Sequence, residues 1–189
     1  MAPAVSPAPY RFTRLEYDRL AEEGFFEGKK VELLDGVIVT MSPQNSPHAG
    51  AVYSIQRALL RLLEPACCVR SQLPIVLDDW SAPEPDIAVC RPDAYDYARA
   101  HPTAGDVLMV LEVAETSLRY DRGAKAAAYA RSGIPHYWIV NLQDRSIEAL
   151  TEPDRLAGRY ARREVKPEGE ALTLPGGISI ATAELLPRV

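Results

Sequence analysis

The sequence is poor in the residues that build metal cages and covalent scaffolds, with three cysteines and three histidines among 189 residues. Cys67 and Cys68 are adjacent, and neighbours on a strand point to opposite faces, so with Cys90 they form no metal-spacing motif. An odd number of cysteines without a secretion signal reads as small buried apolar side chains in a reducing cytosol. His48, His101 and His136 are scattered and do not make a zinc site. No apolar run approaches the roughly 20 residues that a membrane-spanning helix needs. Met1–Pro9 lacks the charged start and apolar stretch of a signal peptide, so the expected location is the cytoplasm. Positive charge is also in deficit: the formal net charge is -5, unlike a general nucleic-acid binder with its basic surface. Repeats, low-complexity blocks and a clear domain boundary are absent as well.

What is present is an ordinary globular composition, 47% hydrophobic and 25% charged, in a chain long enough for one sizeable core. Residues 1–12, rich in Ala and Pro, are expected to be a flexible lead-in, and 13–189 a single domain. Thr13-Arg-Leu-Glu16 is a capping box that opens a helix closed by Gly24. Val31–Met41 reads as two strands around the Asp35-Gly36 turn. Ser46-Pro47 opens a second helix whose apolar face is Val52, Ile55, Leu59, Leu62 and Leu63, ended by Pro65. Strands are expected near 67–72, 75–78 and 86–90, then a short helix and loop over 91–105. Val107–Val113 is a continuous apolar run, typical of a strand covered on both faces. A helix over 120–131, stopped by Gly133, leads to a buried strand Tyr137–Val140. The remainder reads as a hairpin over 147–164, a short strand at 172–174 and a final turn near 181–185. The strand–helix–strand unit from Val107 to Val140 should be parallel with a right-handed crossover. The expected fold is therefore α/β: a mixed sheet flanked by helices, with an N-terminal hairpin and a β-rich C-terminal extension.

Two carboxylates stand where burial is expected. Glu112 ends the run Val107–Leu111, and an unpaired carboxylate there would be costly to desolvate. Asp86 begins the apolar segment Ile87–Cys90, directly after Pro85. Two carboxylates at the ends of buried strands can converge on one hard cation with oxygen ligands. Each also admits a plain structural role, Asp86 as a turn residue and Glu112 as a strand-end charge facing water. Lys125 follows on the next helix, four residues after Asp121, and the two could form a helix-surface pair. Tyr129 on the same face suits simple packing, and Glu32 in the hairpin could be exposed.

Several blocks then occur in a telling order. They are Val31-Glu-Leu-Leu-Asp-Gly36, Met41-Ser-Pro43 with His48, Pro85-Asp-Ile-Ala-Val89, Glu112-Val-Ala-Glu-Thr-Ser117, Tyr120-Asp-Arg-Gly-Ala-Lys125, Tyr129-Ala-Arg-Ser-Gly-Ile-Pro135 and Tyr137-Trp-Ile-Val140. Over roughly 15–150 the chain resembles the Uma-type restriction-endonuclease family of the PD-(D/E)xK nuclease superfamily. The resemblance implies that Pro85-Asp86 is the PD element, that Asp86 and Glu112 are metal ligands, and that the lysine role has moved to Lys125, since Ala114 stands where that lysine usually falls. It implies Glu32 as a supporting acidic residue and the Val113 carbonyl as a third ligand for Mg²⁺ or Mn²⁺. Asn141 departs from the aspartate common after the aromatic strand.

The function so implied is metal-dependent hydrolysis of DNA phosphodiester bonds, with a homodimer suited to cutting both strands. The alternatives are a non-catalytic interaction module on the same fold, which the acidic balance permits, and a nuclease for RNA or for single-stranded or branched DNA. Arg119, Arg122 and Arg131 could meet a phosphate backbone, although solvated helix arginines are the more ordinary reading of them. His48 could touch phosphate, but a polar residue at a helix start is the more ordinary reading.

Overall fold

A computed structural model describes residues 8–41 and 43–187. Residues 1–7 of the expected lead-in, and Ser42 of the Met41-Ser-Pro43 block, lie outside the described residues. The chain runs α1 (Arg14–Glu22), β1 (Val31–Leu34), β2 (Val37–Thr40), α2 (Ser46–Leu63), β3 (Cys68–Ser71), β4 (Ile87–Cys90) and β5 (Val107–Ala114). It continues through α3 (Leu118–Tyr120), a π-helical turn (Asp121–Lys125), α4 (Ala126–Ser132), β6 (His136–Asn141), β7 (Ser146–Asp154), β8 (Arg159–Pro167), β9 (Ala171–Thr173), β10 (Ser179–Ala181) and α5 (Thr182–Leu185).

Six strands form one mixed sheet in the order β3-β4-β5-β6-β7-β8. Only β5 and β6 are parallel, and the helical segment between them makes the crossover. β1 and β2 form a separate antiparallel hairpin, as do β9 and β10.

Local chemistry explains most of these elements. Both halves of the Thr13–Glu16 capping box are made at the start of α1. The β1–β2 turn is tight because Gly36 takes φ 74, and its amide donates to the Trp80 carbonyl at 2.7 Å. Asn45 caps α2 through the His48 amide, and Ala51, Val52, Ile55, Ala58, Leu59 and Leu63 turn inward. Gly133 ends α4 in the left-handed region, φ 79.

The sheet is covered on both faces, which is why Val107–Leu111 is apolar throughout. One face packs against α2, α5 and the β9–β10 hairpin, with Met109, Leu111, Val113 and Trp138 at the centre. The other packs Val110, Tyr137 and Ile139 against Ala126, Ala128 and Tyr129 of α4, with Leu34, Ile75 and Leu77 beside them. Cys67 and Cys68 face opposite cores, as expected of neighbours. Among the described residues no helix is long and apolar enough to cross a membrane.

Several segments differ from expectation. Ile75–Asp78 is not a strand; Val76 and Asp78 make single bridges to Thr103 and Ser81, because Pro74 and Pro83 bracket a segment too short for a ladder. Residues 91–105 hold turns and no helix, with Asp93 accepting from the amides of Tyr95 and Tyr97 instead of capping a helix. The expected helix over 120–131 is three pieces, with a π-helical turn in the middle. The hairpin over 147–164 belongs to the main sheet and its second strand runs to Pro167. The strand near 172–174 pairs with β10, and the turn near 181–185 is the short helix α5.

Candidate active site

β4 and β5 are neighbours, with Ile87 opposite Leu111, so Asp86 and Glu112 meet across the pair at the same level. The Asp86 amide donates to Glu112 Oε2 at 3.4 Å, and Asp86 Oδ2 accepts from the Val113 amide at 2.8 Å. Both are buried, Glu112 at 3% exposure. Neither is a turn residue or a water-facing strand end.

The π-helical turn supplies the cation. Lys125 Nζ lies 2.9 Å from Glu112 Oε1 and 3.5 Å from Glu32 Oε1. Glu32 sits on β1, all four residues of which are buried, and its Oε2 accepts from the Glu84 amide at 3.1 Å. The hairpin strand is thus not exposed at this position. Lys125 forms no surface pair with Asp121: both are buried, and Asp121 accepts from the Ser117 hydroxyl at 2.6 Å. A π-turn adds a residue to the helical ladder, and such turns are frequent at functional sites.

These groups line a cleft of about 460 Å³ between the β1–β2 hairpin, the start of α2 and the segment after β5. His48 and Asn45 reach it from the α2 end, and Lys30, Glu32, Asp86, Glu112, Asp121 and Lys125 from the other elements.

Charge in the cleft is unbalanced. Burial pushes the Glu112 carboxyl up to about 8, against the pull of Lys125 and with Asp86, Asp121 and Glu32 adding repulsion. Burial likewise pushes Asp121 up to about 6. Burial alone would lower the Lys125 ammonium, but Glu112 and then Glu32 hold it above its usual range. Burial works against Asp86 too, yet its bond with His48 keeps it below the usual carboxylate range. Glu32, Asp86, Glu112 and Asp121 therefore gather around the Lys125 ammonium.

An all-oxygen donor set with surplus negative charge suits a hard divalent cation. Among the described residues no three His, Cys, Asp or Glu side chains converge into a cage by themselves. A cation at Asp86 and Glu112 would therefore complete its shell from backbone, including the Val113 carbonyl, and from water.

Sequence reasoning missed three contributors. His48 Nε2 stands 3.0 Å from Asp86 Oδ1; it sits in the first turn of a capped helix, and only tertiary packing reveals what it faces. Tyr129, expected to serve packing alone, donates its hydroxyl to Glu112 Oε1 at 2.8 Å. Glu148, on β7, holds Arg122 and Arg163; an isolated Glu in an apolar stretch was its one signal. Of the arginines expected near phosphate, Arg122 is tied to Glu148, Arg131 to Asp35 outside the cleft, and Arg119 is exposed.

The family model described as "Uma2: Putative restriction endonuclease" matches residues 14–183. Among solved structures the chain is similar to a "putative nuclease belonging to DUF820" from Anabaena variabilis ATCC 29413, with TM-score 0.73 and 13% sequence identity, over 92% of this chain and 97% of that one. At that identity the likeness speaks for the fold. None of the curated proteins matches the chain.

Proposed function

The chain belongs to the family described as "Uma2: Putative restriction endonuclease", and on that premise we propose that it is a metal-dependent endonuclease that hydrolyses DNA phosphodiester bonds. The observation that carries the proposal is the meeting of Asp86, Glu112 and Lys125 in one cleft with surplus negative charge.

Asp86 and Glu112, with the Val113 carbonyl, would hold Mg²⁺ or Mn²⁺. Bound there, the cation would polarise the scissile phosphate and lower the pKa of a water. The protein's own groups do the rest. Lys125, anchored by Glu112 and Glu32, orients the attacking water or offsets the extra negative charge as water adds to phosphorus and the P–O bond to the leaving sugar oxygen breaks. Glu32, held by the Glu84 amide, fixes Lys125 from the opposite side. His48 and the Val113 amide each occupy one Asp86 oxygen and set the orientation of that carboxylate.

DNA is the proposed substrate, a homodimer the proposed assembly because two sites are needed to cut both strands of a duplex, and the cytoplasm the proposed location. Metal-induced thermal stabilisation tests the site without a known recognition sequence. Mn²⁺ should raise the melting temperature of the wild type and leave Asp86→Ala unmoved. An equal rise in both proteins would place the cation elsewhere and remove the proposal.

A further inference from the structure

Arg70 is a buried cation. It lies on edge strand β3 opposite Ala88, with 9% of its surface exposed. Among the described residues its guanidinium forms no ion pair, and its Nε is a buried donor that meets no acceptor. The Tyr97 ring lies 5.4 Å from Arg70 Cζ. That cation–π contact is a weak offset for stripping water from an unpaired cation.

Of the carboxylates on the neighbouring segments, exposed Asp96 forms no ion pair with it and three others are held elsewhere. Asp93 Oδ1 accepts from the amides of Tyr95 and Tyr97 at 2.9 and 3.0 Å. Asp106 Oδ2 accepts from the Thr103 amide at 2.8 Å and its hydroxyl at 2.6 Å. Asp18 Oδ2 holds Arg14 Nη1 at 2.8 Å. Among the described residues no carboxylate therefore closes on the Arg70 guanidinium, and its charge is felt at His101: burial first, and then the charge of Arg70, hold that imidazole below its usual range. On the same loop a second guanidinium, Arg99, stacks 3.4 Å from the centre of the exposed Tyr95 ring. None of these residues lines the catalytic cleft.

We propose that Arg70, with the loop that carries Tyr97 and His101, forms a binding site for a phosphate-class oxyanion, distinct from the cleft. A tetrahedral oxyanion would accept from the Arg70 fork, supply the missing counter-charge and lie within reach of the loop. The phosphate group can belong to free phosphate or to the backbone of a nucleic acid; only the second source rests on the nuclease reading.

Thermal melting of the whole chain in EDTA tests this, comparing inorganic phosphate with chloride at matched ionic strength and pH. The wild type should melt about 3 °C or more higher in phosphate. Arg70→Met should melt above the wild type in chloride, having lost an uncompensated charge, and should not respond to phosphate. Arg70→Lys, which keeps the charge and loses the fork, should respond less than the wild type. A second arm uses a single-stranded oligonucleotide. A shift that disappears in Arg70→Met assigns the backbone as the source, whereas response to phosphate alone assigns the free anion. Equal wild-type melting in phosphate and chloride overturns the site whether or not the variants fold. So does a phosphate shift that survives in Arg70→Met, or a fall in Asp96→Asn stability showing that this exposed carboxylate is Arg70's partner.

Discussion

Glu112 and Glu148 stand in one lateral row of the sheet, with Ile139 of β6 between them. Strands are spaced by about 4.8 Å, so the two positions are about 10 Å apart. One π-helical turn answers both carboxylates: Lys125 reaches Glu112, and Arg122 reaches Glu148 with Nε at 2.9 Å. Arg163 of β8 closes on the other Glu148 oxygen at 3.0 Å. The turn is therefore pinned over the sheet at two points, which fixes where the Lys125 ammonium stands.

Glu148→Gln tests that anchor. Burial would raise the Glu148 carboxyl, but hydrogen bonds from Arg122 and Arg163 outweigh it and hold the group below its ordinary 4.5. A depressed folded value stabilises the protein above the unfolded value, and that contribution is lost as the pH falls through the folded one. The variant should be about 2 kcal/mol less stable at pH 7, and the gap should close as the pH falls below 4.5. Urea unfolding across that range measures it; a gap independent of pH would contradict the account.

Tyr129→Phe removes one of two donors on Glu112 Oε1 and nothing else of comparable size. Stability should fall by about 1 kcal/mol. Mn²⁺ affinity, read by calorimetric titration, should weaken about 10-fold or more, because the carboxylate loses a partner that orients it. Unchanged affinity would mean that the hydroxyl only satisfies its own burial.

Lys125→Met leaves Glu112, Glu32 and Asp121 facing one another without their shared cation. Removing one member of a buried charge cluster costs about 3–5 kcal/mol. Denaturant unfolding of the metal-free variant should show a loss of that order, with cleavage abolished under conditions where the protein remains folded.

Gly36→Ala tests the β1–β2 turn that carries Glu32's strand. The added Cβ would meet Arg11 Cβ at 2.7 Å in a backbone of positive φ. A loss of about 1–3 kcal/mol is expected on melting; a neutral outcome would show that the Arg11 segment gives way freely.

The parts of the fold that were legible are those in which local chemistry and burial agree. The Thr13 capping box, the Asp35-Gly36 turn, the α2 face and the apolar run of β5 all have a period or a cap that the sequence displays. Ile75–Asp78 misled because its apolar residues are buried without a ladder, which alternation alone does not distinguish from a strand. The π-turn was invisible, since an added residue in a helix leaves no compositional trace. Within the site, buried carboxylates announced themselves by standing at the ends of apolar runs. His48 and Tyr129 did not, because a histidine in a first helical turn and a tyrosine on an apolar face have ordinary structural uses, and only contacts between distant segments reveal what they touch.

The most direct measurement is cleavage of supercoiled plasmid DNA with Mg²⁺ or Mn²⁺, run beside Glu112→Ala and an EDTA control. The account expects nicked or linear product from the wild type and none from either control. Equal cleavage by wild type and a folded Glu112→Ala would contradict it, since the hydrolysis would then not depend on the carboxylate at the centre of the cleft.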